Sequence, residues 1–349
     1  MTEHNLDWSV PLSTFTVSRG YTYHYKYVPP TPVATAANKP VLLFLHGFPE
    51  QPEVWSVAAA ALHARHGNGV LLPYLLGYVP TSSPADSAEY ALVSQVADLA
   101  EVLAHERIAT VLPIGRDWGS PLCSRFPLLL PASTVVGCVL ACVQFVQPST
   151  LPQDFKDMDR WVAAVRAEYG LDFDNCNYFR FFGTDESTEV WDADVAATLL
   201  TIGQHFYTLA YEGNKLRDAI RSAGSAATGT PTAIPPPLAP AVQRWTTNGG
   251  FHGPLNWFRA MCRGHHYAAE RSALGGAEGT WKETIEVPTL FYGGGNDKTW
   301  PPIASEVTRS HIPDLETGAL ENVGHAIYRE DPQGEVELLD RWLVKKGFV

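Results

Sequence analysis

Basic residues are scarce: Lys and Arg number 25 against 37 Asp and Glu, a net charge of −12 over 349 residues. Such a chain repels phosphate backbones and no basic stripe offsets the imbalance, so no nucleic-acid partner is expected. A Lys/Arg-rich helix suited to a membrane surface is missing too. No run approaches the ~20 apolar residues of a spanning helix. Met1 to Pro11 lacks the charged start and apolar stretch of a signal peptide. The five cysteines, Cys123, Cys138, Cys142, Cys176 and Cys262, lack metal-like spacing and read as reduced, buried thiols, which points to a cytoplasmic protein. Internal repeats, dinucleotide fingerprints and P-loops are absent. His265-His266 comes nearest to a metal motif. Neighbours on a helix point apart, however, and no carboxylate stands at ligand spacing, so neither metal nor cofactor is expected.

Apolar runs of strand length are plentiful. Val41–Leu45, Gly69–Leu76, Thr110–Ile114, Val135–Phe145 and Val287–Tyr292 alternate with helical spacing at Val54–His66, at Glu89–His105 (stripe Leu92, Val96, Leu99, Leu103) and from about Ser120. Thr14 to Val28 reads as two short strands around Gly20. This alternation predicts an α/β fold, a mostly parallel sheet with helices on both faces. Residues 150 to 285 are mainly helical instead, with signals at Met158–Tyr169 and Thr188–Tyr211 flanking the aromatic run Asn177–Phe182. Ala223–Pro240, rich in Ala, Gly, Thr and Pro, reads as an irregular excursion. Gly334–Lys346 is a closing helix. The division predicted is a core over 1–148, an inserted helical cap over 149–285, and the rest of the core over 286–349.

Gly115-Arg116-Asp117-Trp118-Gly119 follows the Thr110–Ile114 strand. It fits the sharp strand-to-helix turn that presents a nucleophile between two small residues. A side chain there projects at a helix N-terminus, where negative charge is stabilised. Serine is the usual occupant; an aspartate can displace at a strained or activated carbon and leave an ester on the protein. By itself the motif serves equally as an Asp N-cap between glycines. Two further elements favour the nucleophile. Asp297 follows Gly293-Gly294-Gly295 at a strand end, where an orienting acid belongs, and His325 precedes the last helix, where a base belongs. The order nucleophile, acid, histidine is that of one fold type. His46-Gly47-Phe48-Pro49 follows another strand and would aim the Phe48 N–H at a developing oxyanion, with the Trp118 N–H as second donor. Arg116, one step before Asp117, should point away from it by strand alternation. The alternative is that its charge keeps Asp117 ionised.

These motifs, with Gly253-Pro254-Leu255-Asn256-Trp257, resemble the epoxide hydrolase branch of the α/β-hydrolase family over most of the chain. The resemblance implies that Asp117 opens an epoxide as an ester, which water activated by His325, oriented by Asp297, then hydrolyses. It also implies that a cap tyrosine, Tyr178, protonates the epoxide oxygen. The family's second cap tyrosine aligns with Phe258, which has no hydroxyl to donate. His46, Pro49, Phe182, Trp257 and Phe258 would line the pocket of a small, apolar substrate; of Phe181, Phe182, Trp257 and Phe258, two are expected to serve as cap core instead. A homodimer is left open. Other readings are dehalogenation at Asp117, non-covalent isomerisation, cyclisation or retro-aldol chemistry, and a non-catalytic ligand-binding protein, which would not need Asp117, Asp297 and His325 together.

Overall fold

The computed structural model describes residues 6–36, 38–226, 239–247, 249–275 and 280–349. Its chain forms two compact units: one of Met1–Leu75, Leu92–Thr150 and Ala269–Val349, the other of Leu76–Ala91 and Leu151–Ala268. Residues 76–91 thus group with the helices, and residues 269–285 with the sheet.

The first unit is built on an eight-stranded sheet: β1 (Ser13–Thr16), β2 (Thr22–Val28), β3 (Val41–Leu45), β4 (Val70–Pro73), β5 (Val111–Arg116), β6 (Cys138–Ala141), β7 (Thr289–Gly294) and β8 (Leu315–Leu320). The spatial order is β1-β2-β4-β3-β5-β6-β7-β8. The β1–β2 and β2–β4 pairs are antiparallel and all others parallel. Strands β3 to β7 are buried along their length, as both-face coverage requires. Leu42, Phe44, Leu112, Ile114, Val139 and Leu290 pack with the helices Ser56–His66 and Pro332–Lys346 through Trp55, Leu62, Leu339 and Trp342. The alternate residues face the other side, where the helix Gly119–Leu129 lies on β5 and β6. The ends of these helices follow from sequence. Gly67 and Gly347 take left-handed caps, and the Asp331 side chain accepts from the Gly334 N–H ahead of Pro332.

The structure departs from the sequence reading in several places. The strand expected over Val135–Phe145 is cut to Cys138–Ala141, because Cys142 turns to φ +67°. Strand β8 is half-exposed at the sheet edge and carries no apolar alternation, so its pattern was silent. In the second unit, Asn177–Phe182 is a helix. The helix expected over Thr188–Tyr211 is two, Glu186–Asp192 and Val195–Leu209, because the Asp194 side chain caps the second by accepting from Ala197 N–H. Ala223 to Ala226 completes the helix Lys215–Ala226, and Ala239 begins the helix Ala239–Thr247. The rest of the expected Ala223–Pro240 excursion lies outside the described residues. Among the described residues no helix is long and apolar enough to cross a membrane.

A buried ion pair ties the sheet unit together. Arg125 and Glu270, neither side chain exposed, meet through two 3.0 Å hydrogen bonds. A third donor bond runs from Arg125 to the Val146 carbonyl at 2.8 Å. Removing one partner leaves the other charge buried without compensation. Arg125→Met is expected to cost about 3–5 kcal/mol. Arg125→Met with Glu270→Leu should recover most of that loss, as measured by urea denaturation.

Candidate active site

Asp117 directly follows β5 and lies two residues before the helix Gly119–Leu129. Its φ is +48°, in the left-handed region that side-chain-bearing residues avoid at a cost of about 1–2 kcal/mol. Surrounding bonds hold it there. Asp117 N–H donates to Ala141 O (3.2 Å), and Ser120 N–H to Asp117 O (2.9 Å). The Ser120 hydroxyl donates to the Val143 carbonyl. The flanking glycines are steric necessities: a Cβ on Gly115 would sit 1.9 Å from Gly119 O, and one on Gly119 2.2 Å from Leu45 O. Gly47 answers to the same demand, since its Cβ would stand 2.4 Å from that of Asp117.

The carboxylate so presented meets the other predicted groups of the sheet unit. Phe48 N–H donates to Asp117 Oδ1 at 2.8 Å, and Trp118 N–H also bonds this carboxylate. His325 Nε2 lies 3.4 Å from Asp117 Oδ2. His325 Nδ1 lies 2.6 Å from Asp297 Oδ2, and because a carboxylate only accepts, Nδ1 carries the proton of that bond. Asp297 is aimed in turn by two N–H groups, Thr299 at 2.9 Å and Trp300 at 3.2 Å. Phe48, Asp117, Asp297 and His325 thus come from the C-terminal ends of β3, β5, β7 and β8, where open parallel sheets bind ligands.

A family model for the α/β hydrolase fold matches residues 40–332. The chain belongs to the α/β-hydrolase fold family. Over 313 residues it is 28% identical to an epoxide hydrolase from Caballeronia sordidicola, covering 87% of each chain. Over 317 residues it is 25% identical to bifunctional epoxide hydrolase 2 of Sus scrofa, covering 87% of this chain and 51% of that one. It spans about half the length of that relative. Among solved structures it resembles epoxide hydrolase A from Mycobacterium thermoresistibile, with a TM-score of 0.69, 21% identity and 97% of each chain covered. At that identity the likeness speaks for the fold.

Other predicted residues of this α/β hydrolase stand apart from that array. His46 is wholly buried. Its Nδ1 lies 3.0 Å from Gly47 O, its Nε2 accepts from Leu75 N–H at 3.1 Å, and burial pushes its pKa down to about 4, so it is neutral and joins the end of β3 to the segment after β4. Pro49 is half-buried in the turn after Phe48. In the helical unit, Tyr178 packs edge-on to Phe258 with ring centroids 6.0 Å apart, and Phe182 packs 5.0 Å from the Phe258 centroid. Trp257 is fully buried and donates to Leu76 O at 2.9 Å, as core rings do.

Sequence reasoning missed a buried charge cluster behind the array. Arg116 does point away from Asp117, as alternation requires. It donates to His325 O at 2.6 Å and lies 3.4 Å from Glu50 and 4.0 Å from Glu335. Its guanidinium is 4.6 Å from the Tyr328 ring centroid. The signal was there: an arginine inside an apolar strand needs carboxylates, and Glu50 directly follows the Phe48-Pro49 turn. The largest influences on the ionisation of Asp117 are burial, His325 and the Phe48 and Trp118 N–H groups rather than Arg116. Cys142, Asp297 and His325 have ligand-type atoms within 4.8 Å of one another, but Arg116 Nη2, 3.9 Å from Cys142 Sγ, opposes a cation there.

Burial alone pushes the Asp117 carboxyl up. The hydrogen bond and charge of His325, with the N–H groups of Phe48 and Trp118, outweigh burial and hold it below its ordinary value. A depressed carboxyl stays ionised until the pH falls below the usual Asp range. His325→Gln removes the largest opposing contributions, so Asp117 should then take up its proton at higher pH than in the wild type. Carboxyl NMR titration, with Asp117→Asn assigning the signal, measures this. Coincident titrations would show that His325 does not govern Asp117.

Proposed function

We propose that this protein is an epoxide hydrolase that works through an ester on Asp117. The observation that supports this reading best is an aspartate at the elbow, with two backbone N–H groups on its carboxylate and a histidine–aspartate pair beside it. The relatives named epoxide hydrolases agree with it.

In the first step Asp117 attacks an epoxide carbon. The carbon–oxygen bond breaks, its electron pair goes to the oxygen, and that oxygen takes a proton, on motif grounds from the Tyr178 hydroxyl. In the second step His325 Nε2 removes a proton from water and hydroxide adds to the ester carbon. Phe48 and Trp118 N–H groups hold the resulting oxyanion, and the alkoxide leaves with the proton from His325. Asp117 is released as its acid, and its proton restores Tyr178, so one epoxide and one water become one diol. Asp297 keeps His325 in the required tautomer. The substrate is proposed to be small and apolar and the protein cytoplasmic.

Phe258, where a second phenol would stand, favours one rival, dehalogenation at the same carboxylate, in which halide leaves without protonation. The test is the intact mass of His325→Gln after mixing with 1,2-epoxyalkanes, styrene oxide and haloacids. A gain of one whole epoxide is expected. A gain of a haloacid less its hydrogen halide points to dehalogenation, and no gain from the folded protein removes the covalent reading. Asp117→Ala should abolish turnover. Phe258→Tyr should raise epoxide turnover about tenfold, because a second phenol can share the alkoxide.

A further inference from the structure

His325 must reach Asp117 from the far side of the sheet. It follows β8, three strands from β5, so with neighbouring strands 4.7–4.9 Å apart the gap is about 14 Å. The loop between β8 and the short helix Ile327–Glu330 spans it by crossing the end of β7. The crossing is close: a Cβ on Gly294 would lie 2.1 Å from Gly324 O. Gly295 N–H donates to Leu320 O (2.8 Å) and Asn296 N–H to Val323 O (2.9 Å), which ties the near half of the loop to β7. The far half, with His325, has a different tether.

We propose that Arg116 is a positioning residue for His325: it donates to the His325 carbonyl at 2.6 Å and stacks on Tyr328, and so holds the imidazole where Nε2 faces Asp117. Arg116 is itself enclosed. It is fully buried at the end of β5, faced by Glu50 from the oxyanion turn, Glu335 from the closing helix, and the Trp55 ring at 5.8 Å. Tyr328 donates to Glu50 and Tyr292 to Glu335 (2.8 Å), so both carboxylates are also held. The Cys142 thiol also reaches the His325 carbonyl, at 3.4 Å, as a weak donor. One guanidinium therefore joins the nucleophile's strand, the turn after Phe48 and the base's loop. It does so with one hydrogen bond, to His325 O, and two longer ion-pair contacts from its other nitrogens; a lysine ammonium keeps the charge but not the simultaneous contacts.

This inference rests on the covalent reading above and makes a distinction that reading does not. Ester formation needs Asp117 and not the base, whereas ester hydrolysis needs His325 within about 1 Å of its place. Loss of the tether should slow the second step selectively. A residue that only balances buried charge would alter the folded fraction, or both steps alike.

The experiment is rapid-quench mass analysis of Arg116→Lys and Arg116→Met, with the epoxide that labels His325→Gln, in single turnover. First-order constants for each step do not depend on how much protein folds. Arg116→Lys keeps a cation for Glu50 and Glu335, and is the deciding variant where Met does not fold. In Lys, ester formation is expected within about threefold of wild type and ester hydrolysis slowed about tenfold or more, so that the adduct accumulates. In folded Met, hydrolysis slows further. Hydrolysis at the wild-type rate in Lys, or an equal fall in both steps, overturns the positioning role. If no epoxide labels His325→Gln, the covalent reading itself falls and this inference with it.

Discussion

The backbone of Asp117 is the constraint around which the sheet unit is arranged. A residue with a Cβ persists at φ +48° only where its surroundings leave it no other conformation. Here the surroundings are glycines at 47, 115 and 119, a β3–β5 adjacency that brings the Leu45 carbonyl against the elbow, and the Ser120 hydroxyl on the Val143 carbonyl just past β6. In return the carboxylate stands clear of the sheet. There the Phe48 turn, leaving the next strand, can donate to one oxygen while His325 approaches the other. The sharpness of the turn and the placing of the charge are one fact.

Two buried charge clusters surround this point and differ in kind. Arg125 meets one carboxylate, Glu270, through two parallel bonds, and its remaining donor goes to Ser124 Oγ and Val146 O, with nothing reactive in contact. Arg116 is open-ended. It is shared between two carboxylates at 3.4 and 4.0 Å, and its shortest bond goes to a main-chain carbonyl. Burial raises the Glu50 and Glu335 carboxyls, and Arg116 offsets part of this. A cluster of the first kind stiffens a helix contact, whereas an open one transmits the position of one loop to another.

Features with rigid local geometry were legible in the sequence. Gly115 and Gly119 around Asp117, the glycines before Asp297, and the apolar strands expected at Val41–Leu45 and Thr110–Ile114 each satisfy a local steric rule or burial on both faces, and the structure has them, the second as Val111–Arg116. What escaped depends on partners distant in the chain. Leu315–Leu320 is a strand because β7 is beside it, not because its residues alternate. Asn177–Phe182 winds as a helix through aromatic packing with Phe206 and Phe258, which no periodicity in six residues reveals. Leu76–Ala91 groups with the helices through contacts such as Asn256 on Pro84 and Ala85. Alternation could say where Arg116 does not point. Its actual neighbours, Glu50, Glu335 and Tyr328, are brought together only by the completed sheet.

Every member of the Asp117–His325–Asp297 array, both N–H donors and the Arg116 cluster belong to the sheet unit, and none comes from residues 151–268. Strand β6, after which the chain departs into those residues, supplies no group to the array beyond one carbonyl, that of Ala141, to the elbow. Sequence drift in the inserted segment therefore replaces no group of this array. Two proteins with this sheet could share one chemistry yet descend along separate histories of what they accept. Phe258, a single ring that lacks an oxygen, is the kind of mark such a history leaves.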